Sequence, residues 1–209
     1  MNYLDASEYE THGLEATTPE SWITAGSALI DAHCRRATLA VSQYSERVRV
    51  GLGQITVRLT YLPLAIVAPA TSPIVSARGR YASPRRGETV VNDEWRNEVA
   101  QVFGLPGIWV DLSVNAIDFF AETGELTLPP GALGLGFSEV EITYKAGLAT
   151  IPENVKCACA QVVQNALATP ALNLRAGNLY RMHLEYFSDT LVDQTIRALL
   201  APYVAQKVG

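Results

Sequence analysis

The side chains that could perform chemistry are few in this chain, and they follow no recognised catalytic or metal-binding pattern. The three histidines are His12, His33 and His183. None of them lies in a recognised motif with a nucleophile or at metal-ligand spacing, although His33 is next to Cys34. The three cysteines are Cys34, Cys157 and Cys159. Cys157 and Cys159 are two residues apart on a predicted helix, so their side chains point to different faces. We therefore expect small, buried cysteines in a reducing compartment, with no metal, no cofactor and no catalytic residue.

Two further groups of residues could in principle form a site. The glycine-rich segment 131–136 follows two prolines and leads into a strand, whereas a phosphate cradle needs a helix N-terminus. Paired carboxylates could hydrolyse a glycoside if they faced each other across a cleft; the acidic series here is Asp111, Asp118, Glu122 and Glu125. A solvated strand face accounts for this series more simply. The sequence thus favours a protein that is not an enzyme, and a glycan-binding or hydrolytic β module is the less favoured alternative.

One basic cluster surrounds Tyr81 in the middle of the chain. It consists of Arg78, Arg80, Arg85 and Arg86. Arginine beside tyrosine can bind nucleic acid, but the formal net charge of the chain is −5 and a nucleic-acid surface is normally basic. We expect a loop that is solvated or meets an acidic neighbour, and we retain the four arginines as candidate subunit or DNA contacts.

Composition predicts an ordinary globular protein with a thinly charged surface, which leaves room for contacts with other chains. Hydrophobic residues make up 48% and charged residues 18% of the 209 positions. The polar, acidic N-terminal segment predicts no secretory signal. The uncharged run 59–77 contains three prolines and several hydroxyl side chains, which favours strands and turns over a membrane helix. We expect no membrane association.

Helical signals occur near both ends of the chain. Thr18 is a candidate cap for a helix whose first residue is Pro19. Trp22, Ala25, Leu29 and Ile30 are expected to form one face of this helix, which extends to about Arg35. A second helix is expected to begin at Pro152, with an apolar stripe at Val155, Ala158, Cys159, Val162 and Ala166. A last helix is expected to begin after Ser188 and to end near Pro202.

Alternating polar and apolar residues between these helical segments predict strands and hairpins. Examples are the segments 47–50 and 56–59, and a hairpin centred on Thr123–Gly124. The sequence therefore predicts an α+β fold with a helical core formed by both chain ends. In that prediction residues 1–43 and 146–209 form the helical unit, and residues 44–145 form a β-rich insertion.

Three short motifs, in their order along the chain, resemble the head–tail connector family of tailed bacteriophages, the adaptor or head-completion proteins below the portal. Segment 19–35 resembles the family's opening helix, which typically ends in a Cys/Tyr–Arg sequence, here at Arg35. Segment 58–64 resembles its L-x-x-x-P-(L/V) strand. Segment 144–156 resembles its Y-x-A-G…P-x-x-(V/I)-K junction through Tyr144, Gly147, Pro152 and Val155.

The resemblance implies a structural protein of the virion neck, made in the bacterial host cytoplasm. It implies a homo-oligomeric ring, expected to be a dodecamer, that binds the portal protein and the stopper or tail proteins. DNA would pass through its channel without specific binding. The family's C-terminal segment commonly docks on the portal, which here falls on Leu199, Leu200, Tyr203 and Val204. Another neck component, a stopper or a tail terminator, is the nearer alternative, although helical ends are less typical of those β-barrel proteins.

Overall fold

A computed structural model describes residues 1–51, 53–82, 98–99, 101–131, 135–168, 176–179, 182–185 and 191–205. Chain contacts divide the protein into two units. The terminal unit comprises Met1–Leu39 and Thr150–Ala205, and the central unit comprises Ala40–Ala149.

The described residues include three α-helices, one of them short: α1 (Glu20–His33), α2 (Glu153–Ala168) and α3 (Gln194–Leu200). Four 3-10 turns accompany them, at Ala6–Glu8, Glu10–His12, Val114–Ala116 and Ala201–Tyr203. The strands are β1 (Ser42–Arg49), β2 (Thr56–Arg58), β3 (Ile74–Tyr81), β4 (Trp109–Leu112), β5 (Asp118–Phe120), β6 (Glu125–Thr127), β7 (Phe137–Ala146), β8 (Ala176–Leu179) and β9 (Met182–Glu185).

The central unit contains two antiparallel sheets. Four strands pair in the order β1-β7-β3-β4, and three pair in the order β2-β6-β5. The centre of the larger sheet is β7, in which apolar and polar residues alternate. Val140, Ile142 and Tyr144 are fully buried, whereas Glu139 and Glu141 lie on the opposite face. Because side chains of a strand alternate between faces, this pattern gives the sheet one apolar face and one charged face.

In the terminal unit α1 packs on α2 through small and β-branched residues. Ile23 and Ile30 are fully buried on α1, as is Cys159 on α2. Gly26 permits the close approach, since a Cβ atom added there would lie 3.2 Å from the Val163 Cγ2 atom. Burial of each Ile side chain stabilises the folded protein by about 1.5–3 kcal/mol. The β8–β9 hairpin also belongs to this unit.

The predicted α+β fold with a helical core formed by both chain ends is wrong. The protein is mostly β, with antiparallel sheets of four and three strands and only three helices among its described residues. Near the N-terminus, the chain forms two 3-10 turns, and Gly13, with a φ of 75°, ends the second. Near the C-terminus, β8 and β9 occupy a segment whose sequence has no clear period, and α3 is seven residues long.

The predicted face of α1 is only partly buried. The helix buries Ile23, Gly26, Ser27 and Ile30. Trp22 and Leu29, which share the predicted face with Ile30, are 39% and 38% exposed. The N-cap is Pro19, in extended conformation, and no side chain caps the helix. Apolar residues lie on more than one side of α1, so periodicity alone did not identify the packed side.

Candidate interaction surfaces

Six side chains form a surface on the four-stranded sheet that we call the charged sheet face. They are Arg47, Arg78, Arg80, Trp109, Glu139 and Glu141. Strand register brings them together. Arg47 on β1 and Arg78 on β3 both lie opposite Glu141 on β7. Arg80 lies opposite Glu139 on β7 and Trp109 on β4. Opposite charges placed directly across a sheet stabilise the strand pairing.

Glu141 is the centre of the ion pairs on this face. Its Oε2 atom accepts a hydrogen bond from Arg47 Nη2 at 2.9 Å. Its Oε1 atom accepts from Arg78 Nε at 3.1 Å and lies 2.8 Å from Arg78 Nη2. Glu139 is more distant from its partners, at 3.7 Å from Arg80 Nη1 and 3.9 Å from Arg47 Nε. One glutamate therefore orients two guanidinium groups.

Trp109 completes the arrangement. The Cζ atoms of Arg47 and Arg78 each lie 5.1 Å from the centroid of its ring. Both guanidinium groups are within the range of a cation–π interaction. Ion pairing and the indole ring together hold two arginines in place on a half-exposed surface. Tryptophan and arginine are enriched at protein–protein interfaces, so this face is a candidate contact surface.

The structure brings only part of the predicted basic cluster into this surface. Arg78 and Arg80 both belong to the charged sheet face and both lie near glutamates. Arg85 and Arg86 lie outside the described residues. The charges of the two described arginines are largely balanced locally, and a surface that holds DNA phosphates needs an excess of positive charge. The face is therefore better suited to a protein partner than to DNA.

The ion pairs of Glu141 give the first testable prediction. Hydrogen bonds from Arg78, and next from Arg47, lower the pKa of Glu141 below its usual 4.5. Because the folded-state pKa lies below the unfolded-state value, these pairs stabilise the fold above about pH 4.5, and the stabilisation is lost as pH falls through the folded-state pKa. We expect Arg78→Ala to raise the pKa of Glu141, measured by NMR titration of its carboxyl carbon. An unchanged pKa of Glu141 would contradict the assignment. The control is Arg49→Ala, because Arg49 lies on β1 opposite Glu139 rather than Glu141.

The four residues predicted to dock on the portal lie at the end of the described chain, and they differ in exposure. Leu200 is fully buried. Leu199, Tyr203 and Val204 are half-buried. The Tyr203 hydroxyl donates a hydrogen bond to Asn154 Oδ1 at 3.0 Å, and the Leu199 carbonyl accepts one from Asn154 Nδ2 at 3.4 Å. These contacts attach the segment to the start of α2, so Leu200 belongs to the interior and only the other three reach the surface.

Tyr144 from the resemblance motif is a buried polar centre of the central unit. Its hydroxyl donates to Glu46 Oε1 at 2.7 Å and accepts a hydrogen bond from the Tyr61 backbone N–H at 3.2 Å. Burial first, and then the hydrogen bond to Glu46, raises the pKa of Tyr144 far above its usual value. The hydroxyl therefore stays protonated and links β7 to β1 and to the loop at Tyr61.

The other motif residues of this segment have backbone and packing functions. Gly147 has a φ of 130°, and its N–H donates to the Pro63 carbonyl at 2.9 Å. The Pro152 carbonyl accepts hydrogen bonds from Val155 N at 3.0 Å and from Lys156 N at 3.2 Å, which form the first turn of α2. Val155 is fully buried. Each matched position thus has a local structural reason for its residue type.

Arg35 ends α1 in a strained conformation. Its φ is 56°, in the left-handed region that favours glycine. The Arg35 N–H donates a hydrogen bond to the Ala32 carbonyl at 3.2 Å, and the Arg36 N–H donates one to the Asp31 carbonyl at 3.1 Å. This is the hydrogen-bond pattern of a Schellman motif, with arginine where glycine is usual. The left-handed conformation of a non-glycine residue costs about 1–2 kcal/mol.

Replacing Arg35 by glycine is expected to raise the free energy of unfolding by about 0.5–1 kcal/mol. The substitution removes the left-handed strain, and part of the gain is offset because glycine increases the entropy of the unfolded chain. Arg35→Ala removes the same charge but keeps the strain, so it should not stabilise the protein. Urea denaturation of the three proteins distinguishes the effects; equal stabilisation by alanine and glycine would show that charge, not backbone strain, is responsible.

The outer side of α1 is a second candidate contact surface, which we call the α1 outer stripe. It consists of Trp22, Ala25 and Leu29, all exposed and spaced by three and four residues. This spacing places them on one side of the helix. An apolar stripe that remains exposed on a helix is a common site of contact with another protein.

A third group of side chains was not anticipated from the sequence. In the terminal unit, His12 Nε2 lies 3.2 Å from Glu153 Oε1, and His12 Nδ1 lies 3.8 Å from Cys157 Sγ. Glu153 and Cys157 are four residues apart on α2, which is the one sequence signal that could have suggested a shared site. His12 is distant in sequence, so its participation depends on the fold.

Comparisons with known proteins do not assign this chain to a family. No protein-family model matches it, and no curated protein was found to match it. None of the helices in the described part of the chain is long and apolar enough to cross a membrane.

Proposed function

We propose that this protein is a structural component of the neck of a tailed bacteriophage. It would form an adaptor ring, a dodecamer by the family resemblance, that binds below the portal, extends the DNA channel and joins the head to the stopper or tail. The observation that carries the proposal is the motif from Tyr144 to Lys156, which follows the motifs at 19–35 and 58–64 in the same order as in the family. The structural functions of Tyr144, Gly147 and Val155 support it, since they explain why these residue types recur in such a junction.

The proposed function is mechanical and requires no catalytic group. A closed ring forms when each subunit presents two different complementary surfaces to its neighbours. The α1 outer stripe and the charged sheet face are two surfaces of different chemistry that could serve such contacts. Attachment to a portal raises the local concentration of neighbouring subunits, so assembly can depend on the head while the isolated protein is a monomer. A channel lined by balanced or negative charge would let DNA pass without holding its phosphates.

A stopper or tail terminator is the second candidate within the neck. The mostly β architecture favours it, because those components are mostly β proteins and the central unit has two antiparallel sheets. The two candidates differ in the neighbours they require. An adaptor binds portal-bearing heads directly, whereas a stopper or terminator binds only after an adaptor is present.

Binding of the purified protein to portal-bearing heads that lack it tests the proposal. Stable co-sedimentation, followed by reconstruction of a ring next to the portal, is the expected result. Trp22→Glu with Leu29→Glu should weaken this binding or ring closure. The control is Ser21→Glu with Ala28→Glu, which adds the same charges at the same spacing on the same helix, at exposed positions outside the stripe. Location of the chain away from the genome-exit vertex, or infectious particles made without it, would refute the proposal.

A further inference from the structure

We propose that His12, Glu153 and Cys157 bind a divalent transition-metal ion of the zinc class. Imidazole nitrogen, carboxylate oxygen and thiolate sulfur are the three donor types that Zn²⁺ uses in proteins. The ligand atoms of the three residues all lie within 4.8 Å of one another. No other group of three such residues is this close in the part of the chain that the structure describes. This inference is independent of the proposed neck function.

The distances fit an ion that binds at His12 Nε2. Two ligands about 2.0–2.1 Å from one tetrahedral ion are separated by roughly 3.3 Å. The separation of His12 Nε2 and Glu153 Oε1 is 3.2 Å. Cys157 Sγ now contacts the other ring nitrogen at 3.8 Å, so it must turn toward Nε2. Cys157 is only partly buried, and the proposal requires its side chain to take another staggered rotamer about the Cα–Cβ bond.

The backbone already holds the three residues in place. Glu153 and Cys157 project from the same side of α2 because they are four residues apart. His12 is the last residue of a 3-10 turn, and Gln164 Nε2 of α2 donates hydrogen bonds to the carbonyls of His12 at 3.2 Å and Gly13 at 3.0 Å. The His12 side chain is only 6% exposed, so this ligand has little conformational entropy left to lose when an ion binds.

The surroundings give an ion both access and selectivity. The Glu153 side chain is 70% exposed, so an ion can enter from solvent. Lys156, three residues after Glu153 on α2, is paired with Glu8, which reduces its repulsion of a metal. A set of nitrogen, sulfur and oxygen donors favours Zn²⁺, Co²⁺ or Ni²⁺ over the oxygen-preferring Mg²⁺ and Ca²⁺. Three protein ligands leave a fourth position for water, and the bound ion would join the N-terminal turn to α2.

Titration of the metal-free full-length protein with Co²⁺ tests this site. We expect one equivalent to bind, to produce the near-ultraviolet absorption of a thiolate–cobalt bond, and to be displaced by Zn²⁺. Cys157→Ser should remove that absorption, and Glu153→Gln should weaken binding about 10-fold or more. Cys159→Ala is the matched control, because Cys159 is two residues away on α2, buried against α1, and should leave the absorption unchanged.

Two results would overturn the site. One is the absence of the thiolate–cobalt absorption in the wild-type protein, and the other is its persistence in Cys157→Ser. Should Cys157→Ser fail to fold, X-ray absorption of the wild-type zinc complex provides the decision. A zinc ion with one sulfur ligand supports the site, and a zinc ion without a sulfur ligand refutes it.

Discussion

Gly147→Ala is expected to lower the free energy of unfolding by about 3 kcal/mol, because it combines backbone strain with a steric overlap. The φ of Gly147 is 130°, which residues with a Cβ atom rarely adopt. A Cβ atom at this position would lie 2.6 Å from the carbonyl carbon of Ala40 and 2.8 Å from the nitrogen of Val41. Both neighbours are backbone atoms, and the bridge between Ala40 and Leu148 limits their movement.

A control separates the two causes. Gly104 also has a positive φ, of 64°, but a Cβ atom there would meet nothing within 4 Å. Gly104→Ala should therefore cost about 1 kcal/mol, from strain alone. Urea denaturation of both variants and the wild-type protein measures the difference. A Gly147→Ala protein as stable as Gly104→Ala would show that the Ala40 backbone moves aside easily.

Leu200→Ala is expected to lower the free energy of unfolding by about 2–5 kcal/mol, the usual cost of a large-to-small change in a core. Leu200 has no exposed surface, and α3, which it ends, packs on α2. Leu199→Ala is the matched control, because Leu199 is the adjacent residue and only half-buried. It should cost about 1 kcal/mol. Thermal and urea denaturation provide the measurement, and equal effects would contradict the assignment of Leu200 to the interior.

This pair of variants also bears on portal docking. Deletion of the chain after Ala198 would remove a core residue, so loss of head binding by the truncated protein would reflect unfolding as much as a missing contact. Substitution of the half-buried Tyr203 or Val204 is a cleaner test of docking. Binding that depends on these two side chains, in a protein of normal stability, would support the docking hypothesis. Binding unaffected by both would contradict it.

Local sequence signals predicted the elements that depend on near neighbours. Thr123–Gly124 predicted a hairpin, which β5 and β6 confirm with Phe120 opposite Glu125. The Pro152 signal predicted a helix that begins there, and α2 extends from Glu153 to Ala168. Turn residues and capping positions act over a few residues, so their effects can be recognised without the rest of the chain.

The prediction of the fold as a helical core was wrong because it required long-range information. The segment 172–187 has no clear period, and it contains β8 and β9. The last helix begins at Gln194, where the Asp193 carboxylate accepts a hydrogen bond from the Ile196 N–H at 2.8 Å. Apolar residues on several sides of α1 gave no reason to choose Ile23 over Trp22 for the packed face. Which strands pair, and which helix face is covered, depends on partners distant in sequence.

By itself the sequence determined the hairpin at Thr123–Gly124 and the helix after Pro152, because these follow from turn residues, side-chain periodicity and the backbone preferences of proline and glycine. Tertiary structure alone decided that Arg47 and Arg78 share Glu141 and contact one Trp109 ring. It alone placed His12 beside Glu153 and Cys157, and Leu200 in the interior. Such contacts join residues far apart along the chain, and their positions are set by strand register and helix packing, on which the local pattern of residues carries little information.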